Sequence, residues 1–497
     1  MNGERIEVVV VGAGFAGIAA ALAARSAGHD VVILERADRP GGTWRENTYP
    51  GVACDVPAHL YGLADHLDPG WSAEFAPGAE IQGYLEGIVQ RSGLTEILRL
   101  GSPLLAAGWD DDERAWRIDI GGDRPTQLLA EVLVLACGRL TEPAIPLLPG
   151  LDSFPGAMFH SARWDHSVPL DGAKIAVVGS GASAVQIVPA LVAAGSQVVV
   201  FQRTPAWIVP RGGRDYTAEE QARLAAHPEE LAALRERLHR EGEARYASRS
   251  GSTDAAAEAS GIALAHLAAQ VADPTLRGQL TPHYAFGCKR VLLSDDFYPA
   301  FASGAAQLEP SALATVHGRE LVSERGMSHG DFDAIVFATG FETARQPYAG
   351  LIRGEDGVLL EQHWGEGMTS FGSVVVPGFP NLFVLNGPNA SLGHTSSVLM
   401  LEHQAAYVVR ALARRHSQGG VLRTRPEAER DYTRIIDEKA AGTPWLTGGC
   451  RNWYVDDRSG RLTLMWPGTA AEYGEFLAAA DGSEFAEATA PAPLVRP

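Results

Sequence analysis

Apolar runs and glycine turns alternate in a regular order along the first part of the chain. Residues 6–36 comprise an apolar run, a glycine turn, an alanine-rich amphipathic stretch and a second apolar run that ends in an acid. Strand-length runs on either side of a helix-length stretch predict a βαβ unit. The same order returns over residues 174–203. The sequence therefore predicts an α/β protein with two Rossmann-like dinucleotide-binding units.

The pattern changes after the second unit. Between about Asp215 and Gln279, Ala, Glu, Arg and Leu dominate and apolar residues take helical spacing, which predicts a helical insertion. Strand-like runs return at residues 333–340 and 381–387, and we expect them to be later strands of the two sheets. The tail from about Asp481 is rich in Ala, Glu and Pro and is predicted to be loose.

Composition excludes several classes of protein. A chain of 497 residues, 46% hydrophobic and 20% charged, is typical of a soluble globular protein with more than one core. A net charge of -19 argues against a nucleic-acid partner. Apart from residues 8–24, no stretch of the sequence approaches the roughly 20 apolar residues that a membrane span requires. The four cysteines, at 54, 137, 288 and 450, have neither CxxC nor zinc-like spacing, so we expect a reducing cytoplasm and no metal.

The first glycine turn has the spacing of a nucleotide site. Gly12, Gly14 and Gly17 form GxGxxG directly after the first apolar run. In such a turn the first glycine permits a tight bend, the second admits a pyrophosphate close to the backbone, and the third lets helix and strand pack. Glu35, at the end of the second run, is placed to accept hydrogen bonds from ribose hydroxyls.

The second turn differs in a way that bears on cofactor choice. It contains Gly179 and Gly181, with Ala184 in place of the third glycine, and its second strand ends at Arg203 and Thr204. A carboxylate there would repel a 2′-phosphate, whereas a guanidinium can pair with one. This unit is predicted to prefer NADPH over NADH. A solvated arginine at a strand end is the alternative.

Two nucleotide folds in one chain also describe flavin disulfide reductases, which need a pair of redox cysteines beside the flavin. No two cysteines here are close in sequence, so that interpretation is disfavoured. The sequence instead favours an enzyme that passes electrons from NADPH through flavin to oxygen.

A linker motif carries a family resemblance. Residues 154–165, FPGAMFHSARWD, have FxGxxxHxxxWD spacing. This resembles the fingerprint of type I Baeyer-Villiger monooxygenases, whose relatives, the flavin-containing monooxygenases and N-hydroxylases, usually carry another aromatic residue at the tryptophan position. The fingerprint residues are Phe154, Gly156, His160, Trp164 and Asp165.

Further segments extend the resemblance over nearly the whole chain. Residues 41–55 match the family pattern [AG]GxWxxxx[FY]P[GM]xxxD, and GCKR at 287–290 resembles the segment of the active-site arginine. The resemblance implies that Arg290 is catalytic, that Asp55 is its partner and that Lys289 lies near the NADP phosphate. Two more segments are similar to flavin-domain and substrate-side regions of the family, at residues 387–396 and 448–456.

The implied reaction requires a cation in a pocket with little water. NADPH reduces FAD, dioxygen adds to the reduced flavin, and the resulting C4a-peroxide attacks a ketone to give an ester or lactone. A fixed cation stabilises the negative oxygens of such a reaction. Arg290 suits this role because arginine stays protonated, and its burial calls for a carboxylate such as Asp55.

The motifs and the resemblance also indicate other contact residues. Gln186 and Trp453 are expected near the nicotinamide cofactor and Tyr61 near the flavin. We expect Phe154, His160 and Trp164 to couple rotation of the two nucleotide domains, and a core histidine without such a role is the alternative for His160. The remaining expected cofactor contacts are Arg36, Gly42, Thr43, Trp44, Ser183, Thr339 and Gly340.

These interpretations predict a divided domain order and a ketone substrate, with O2 as the co-substrate. An oxygenase of amines or thioethers that uses the hydroperoxyflavin as an electrophile is the nearest alternative, and a flavoprotein that oxygenates nothing is a third. The sequence indicates neither the ketone nor the oligomeric state. The predicted order is FAD-binding domain, first part (1–147), NADP-binding domain, first part with the fingerprint linker (148–214), helical insertion (215–280), NADP-binding domain, second part (281–368), and FAD-binding domain, second part with the loose tail (369–497).

Overall fold

Two sheets carry the glycine turns in the computed structural model, which describes residues 4–487. The strands in this range are β1 Glu4–Val11, β2 Val31–Leu34, β3 Leu98–Arg99, β4 Leu104–Asp110, β5 Ala115–Ile120, β6 Thr126–Leu135, β7 Ala157–His160, β8 Lys174–Val178, β9 Gln197–Phe201, β10 Ile208–Val209, β11 Leu292–Leu293, β12 Ala306–Glu309, β13 Leu313–His317, β14 Glu320–Ser323, β15 Ser328–His329, β16 Ala334–Phe337, β17 Ile352–Arg353 and β18 Leu382–Val384.

The helical insertion is present as four helices, α5 to α8, and the first of them begins with a capping box between Thr217 and Glu220. The α-helices of the described range are α1 Phe15–Ser26, α2 Thr43–Glu46, α3 Gly78–Arg91, α4 Ala184–Ala193, α5 Ala218–Ala226, α6 Pro228–Ala244, α7 Thr253–Gln270, α8 Pro274–Leu280, α9 Phe297–Ala302, α10 Leu360–His363, α11 Ser397–Ser417, α12 Pro426–Ala440, α13 Pro444–Thr447 and α14 Ala470–Ala479.

The first sheet has the order β17-β4-β5-β6-β1-β2-β3, and β18 pairs with β6. Strand β1 runs parallel to both β2 and β6. Val8 and Val10 pack into one core with Ile18 of α1, whereas Val9 faces the opposite core with Trp116. Both faces of β1 are therefore buried, which explains why its sequence is almost continuously apolar.

The second sheet is parallel throughout, with the order β12-β9-β8-β16-β7. Helix α4 connects β8 to β9 and packs against them through Ile187 and Val188. Strand β16 comes from the apolar run at 333–340, and β18 of the first sheet comes from the run at 381–387. The prediction of an α/β fold with two Rossmann-like units and a helical insertion is confirmed.

Two linkers join the sheets, and they pair with each other. Pro143 and Phe341 form an antiparallel bridge. The amide of Ala144 donates to the carbonyl of Gly340 at 2.9 Å, and the amide of Glu342 donates to the carbonyl of Glu142 at 2.9 Å. The chain therefore crosses between the sheets twice at one place.

One short strand departs from the predicted domain order. Strand β17 pairs with β4 of the first sheet, although its residues fall in the segment 281–368 that the sequence assigned to the NADP-binding domain. A strand of two residues has no apolar periodicity that could reveal its partner.

The start of the C-terminal tail is packed. Phe485 pairs with Thr424, and the Tyr407 hydroxyl donates to Glu484 Oε1 at 2.6 Å. The prediction of a loose tail is wrong for residues 481–487, because Glu484 and Phe485 are buried. The rest of the predicted tail, residues 488–497, lies outside the described range.

Cys288 and Cys450 form a disulfide, with Cα atoms 6.2 Å apart, although the two residues are separated by 162 positions in sequence. The cysteine spacing, from which we expected a reducing cytoplasm, did not indicate this disulfide, because tertiary structure alone brings the two residues together. Cys54 and Cys137 are free thiols.

Across residues 4–487, no helix has both the length and the apolar character that crossing a bilayer requires.

Candidate functional site

The first glycine turn leaves no room for side chains where the backbone must close. Gly12 has φ 107°, and a Cβ on it would lie 2.4 Å from the Ala136 carbonyl oxygen. A Cβ on Gly17 would lie 1.8 Å from the Gly12 carbonyl oxygen. Gly14 faces Gly42, whose Cα would lie 3.5 Å from a Cβ on Gly14. The start of α1 thus presents bare backbone, as a pyrophosphate requires.

Glu35 is buried behind this turn and holds it in place. Its Oε2 accepts from the Ala13 amide at 2.8 Å, and its Oε1 accepts from Ala37 N at 3.0 Å and from Arg45 Nη1 at 2.8 Å. Sequence reasoning missed Arg45, which lies in the 41–55 motif. Arg36 is half exposed and donates to Glu142 Oε1 at 2.7 Å, so it contacts the first linker.

An aromatic group lies next to the turn. Trp44 packs edge-on against Tyr61 with ring centroids 5.6 Å apart, and Phe15 packs against the same ring at 5.1 Å. Burial raises the pKa of Tyr61 well above its usual range. The Trp44 indole N–H is shielded from solvent, and nothing in the described part of the chain accepts its hydrogen bond. Thr43, which begins α2, is in the same segment.

Asp55 and Arg290 meet across 235 positions of sequence. Arg290 Nε and Nη2 both donate to Asp55 Oδ2, at 2.9 and 2.5 Å. The charge of Asp55 raises the pKa of Arg290 well above its ordinary value, so the guanidinium stays protonated. Both side chains remain partly exposed, at 33% and 26%, which leaves guanidinium N–H groups available to a ligand.

The second glycine turn repeats the geometry of the first. Gly179 has φ 116°, and a Cβ there would lie 2.4 Å from the Ala338 carbonyl oxygen. A Cβ on Gly181 would meet nothing within 4 Å, so this residue borders open space. Ser183 occupies the N-cap position of α4, and Ala184 is the first residue of the helix.

The cations predicted near a 2′-phosphate lie together. Burial, and then the charge of Arg203, lower the pKa of Lys289, whose Nζ lies 5.2 Å from the centroid of the Tyr284 ring. Sequence reasoning missed Arg451, which adds a third cation. The residues lining this cavity of about 270 Å³ are Arg203, Thr204, Tyr284, Lys289, Gly449, Cys450 and Arg451.

Gln186 joins α4 to the 41–55 motif. Its Oε1 accepts from the Tyr49 hydroxyl at 2.9 Å, and its Nε2 donates to the Ala53 carbonyl at 3.0 Å. A Cβ on Gly51 would lie 2.9 Å from the Gln186 carbonyl oxygen. The two nucleotide-binding units therefore contact each other closely beside Asp55, and Gln186 is a residue of that contact.

Fingerprint residues lie next to the two paired linkers. His160 ends β7, accepts from the Ala162 amide at its Nδ1 at 3.1 Å, and packs edge-on against Phe341 with ring centroids 5.4 Å apart. Trp164 packs against Phe159 at 4.9 Å. Thr339 Oγ1, at the other linker, donates to the Ala144 carbonyl at 2.6 Å. The histidine thus touches the segment through which the chain returns to the first sheet.

The other fingerprint residues shape the linker. A Cβ on Gly156 would lie 2.3 Å from the Asp333 carbonyl oxygen and 2.7 Å from the Phe154 ring. Asp165 Oδ1 accepts from the amide and hydroxyl of Ser167, which fixes a turn. Trp453 lies apart from the fingerprint: it is 38% exposed and packs against Tyr454 at 4.5 Å.

Two buried histidines predict a loss of stability in mild acid. Burial lowers the pKa of both His59 and His160 to about 4. Because the folded state favours their neutral forms, their contribution to the free energy of unfolding is complete above about pH 6.5, the pKa of histidine in the unfolded state. It falls by about 1.4 kcal/mol per pH unit for each group as the pH drops from 6.5 towards 4.

We expect urea unfolding at about pH 7 and about pH 5 to reveal this difference, and His59→Phe to reduce it. The phenyl ring can keep the edge-on contact with Tyr216, whose centroid lies 4.9 Å from that of His59. An unchanged pH slope in the variant would contradict the assignment.

Comparison with known proteins places this geometry in a family. Residues 10–68 match an NAD(P)-binding Rossmann-like domain, and residues 118–219 match a flavin-binding monooxygenase-like family. A Baeyer-Villiger monooxygenase of Streptomyces coelicolor is 40% identical over 493 residues, covering 99% of this chain and 94% of the relative. One of Pseudomonas aeruginosa is 35% identical over 489 residues, covering 98% and 92%.

Solved structures support the same family assignment. Cyclohexanone monooxygenase from Rhodococcus sp. Phi1, bound to NADP+, has a TM-score of 0.87 and 27% identity, covering 98% of this chain and 100% of that chain. An oxidised steroid monooxygenase bound to NADP has a TM-score of 0.85 and 28% identity, covering the same shares. The resemblance inferred from the motifs is confirmed, and the chain belongs to the Baeyer-Villiger monooxygenases.

Proposed function

We propose that this enzyme uses FAD, NADPH and O2 to convert a ketone into an ester or lactone, with the Asp55–Arg290 pair at its active site. The observation that carries the proposal is this ion pair, which is formed between the motif following the first glycine turn and the segment that carries Lys289. A protonated guanidinium held by a carboxylate lies between the two nucleotide sites.

The residues present fit both cofactors. Bare backbone at Gly14 and Gly42, together with the unpartnered indole N–H of Trp44, suits FAD at the first turn. Arg203 and Lys289 suit the 2′-phosphate of NADPH at the second turn. A flavin held there would supply the acceptor for a hydride from NADPH and the means of activating oxygen.

Arg290 has a defined task in this chemistry. A negative oxygen develops when a ketone carbonyl is attacked, and a fixed cation beside it lowers the barrier. Asp55 holds the guanidinium from one side. The remaining N–H groups therefore keep a fixed direction, and the side chain does not have to reorient when the negative oxygen forms. Gln186 and Trp453 are proposed to position the nicotinamide, since both belong to segments that adjoin this pair.

The test is product analysis with the purified holoenzyme. A panel of ketones is supplied with NADPH and ¹⁸O₂, and we expect esters or lactones that contain one labelled oxygen, detected by mass spectrometry. Thioethers and amines are tested in parallel as substrates of the alternative oxygenase. Turnover of these alone, with every ketone unchanged, would overturn the proposal.

The fingerprint is proposed to couple the motion of the two nucleotide domains to oxygenation. His160 touches the linker residue Phe341 and no residue of the Asp55–Arg290 pair. We therefore expect His160→Ala to reduce flavin at a normal rate but to consume NADPH with little ester formed. Stopped-flow absorbance and product yield per NADPH are the measurements. Unchanged coupling would leave His160 a core residue.

The divided domain order is proposed as predicted, except that residues near 352 are assigned to the FAD-binding domain because of strand β17. A cytoplasmic location is also proposed, because the four cysteines have neither CxxC nor zinc-like spacing in the sequence. The Cys288–Cys450 disulfide is the feature that argues against it. Cell fractionation with thiol labelling of the extracted protein decides between them.

A further inference from the structure

The helical insertion contributes an arginine that has no carboxylate partner. Arg249 Nη1 donates to the Arg245 carbonyl at 3.2 Å, whereas its Nε is shielded from solvent and has no acceptor. Within residues 4–487, no carboxylate oxygen lies within 4.0 Å of its guanidinium. A guanidinium that is partly shielded from water and lacks a countercharge is stabilised when a ligand supplies the missing charge.

Arg249 lies against the segment that carries Arg290. Its Cα would be 3.0 Å from a Cβ on Gly287, three positions before Arg290, and its Cδ would be 4.0 Å from a Cβ on Gly393. The side chain therefore runs between the GCKR segment and the 387–396 segment. The first of these segments carries Arg290 of the proposed site, and the second is the one that is similar to a flavin-domain region of the family.

The surrounding charges are predominantly positive. Burial, and then the charges of Arg245 and Arg290, lower the pKa of Arg249 to about 10, so it is still protonated near neutral pH. Tyr454 and Asp55 are the groups that act in the opposite direction. Asp55 already holds Arg290, which leaves the charge of Arg249 uncompensated.

We propose that Arg249 binds a carboxylate on the substrate, so that the enzyme prefers keto acids to neutral ketones. The inference rests on the proposed function, and it names the substrate class of that same site. A guanidinium can bind a carboxylate through two parallel hydrogen bonds. A site built for such a group rejects the analogue that lacks it, because the arginine then stays unpaired.

A cofactor phosphate is the other anion that could meet Arg249. The cavity of Arg203, Lys289 and Arg451 already supplies cations for the 2′-phosphate, and Arg249 does not line it. The affinity for NADPH therefore separates the two sources, and it is measured beside the activity.

The experiment compares oxo acids of several chain lengths with their methyl esters, using wild-type, Arg249→Gln and Arg249→Lys holoenzymes. We expect wild-type kcat/KM to be at least tenfold higher for the best acid than for its ester. Arg249→Gln is expected to lose at least tenfold on the acid and less than twofold on the ester, and Arg249→Lys to keep part of the preference. The KM for NADPH is expected to stay within twofold.

Each other outcome has one meaning. An equal loss on acid and ester, or a tenfold rise in the KM for NADPH with the acid preference intact, would overturn the inference. The wild-type comparison needs no variant, so an enzyme that turns over the esters at least as well as the acids would also overturn it. If no ketone at all is oxygenated, the proposed function fails instead. Flavin content and thermal unfolding confirm that the variants fold.

Discussion

Arg290→Met is expected to lower ketone oxygenation by about 10² to 10³-fold while flavin reduction by NADPH persists. The variant removes the cation beside the developing negative oxygen, and loss of one such preorganised donor costs about 2.7–4 kcal/mol of barrier. Methionine keeps much of the side-chain length and removes the ion pair with Asp55. Ester formation by mass spectrometry and flavin reduction by stopped-flow absorbance are the two measurements.

Arg290→Lys and Asp55→Asn serve as matched variants. Lysine keeps the charge but cannot donate twice to Asp55 Oδ2, so an intermediate loss is expected. Asparagine leaves the cation without its countercharge and is expected to reduce oxygenation by less than Arg290→Met. Normal ester yields from Arg290→Met would remove the ion pair from the mechanism.

Arg203→Ala is expected to raise the KM for NADPH about 10- to 100-fold and to leave the KM for NADH nearly unchanged. A hydrogen bond to a charged group contributes about 1.5–3 kcal/mol, and only NADPH carries the 2′-phosphate that receives it. Lys289→Ala is expected to act in the same direction, because both cations line one cavity. Steady-state kinetics with both nucleotides measure the effect.

Arg325→Ala is the matched control, since this exposed arginine does not line the cavity. Both KM values are expected to stay as in the wild type. If Arg203→Ala raised the two KM values equally, the cavity would bind a part of the dinucleotide that NADH and NADPH share.

The sequence predicted the features that depend on local order. Strand β1, the turn at Gly12 and helix α1 follow one another within a single βαβ unit, so their periodicity and spacing are sufficient. The helical insertion could be predicted in the same way, because its composition and the helical spacing of its apolar residues are features of consecutive residues.

The site required more than local order. The pairing of Asp55 with Arg290 came from the family resemblance, since no pattern links two residues so far apart. The Cys288–Cys450 disulfide and the hydrogen bond of Tyr49 to Gln186 were missed for the same physical reason. Arg249 gave no signal either, because an arginine in a polar helical segment is ordinary until its neighbours are known.

The paired linkers limit how the enzyme can open. Two chain crossings that are hydrogen-bonded side by side, near Pro143 and Phe341, restrict the relative movement of the two sheets more than a single flexible crossing would. We expect any relative rotation of the two nucleotide-binding units to keep these linkers paired, so that the units return to the same mutual contact.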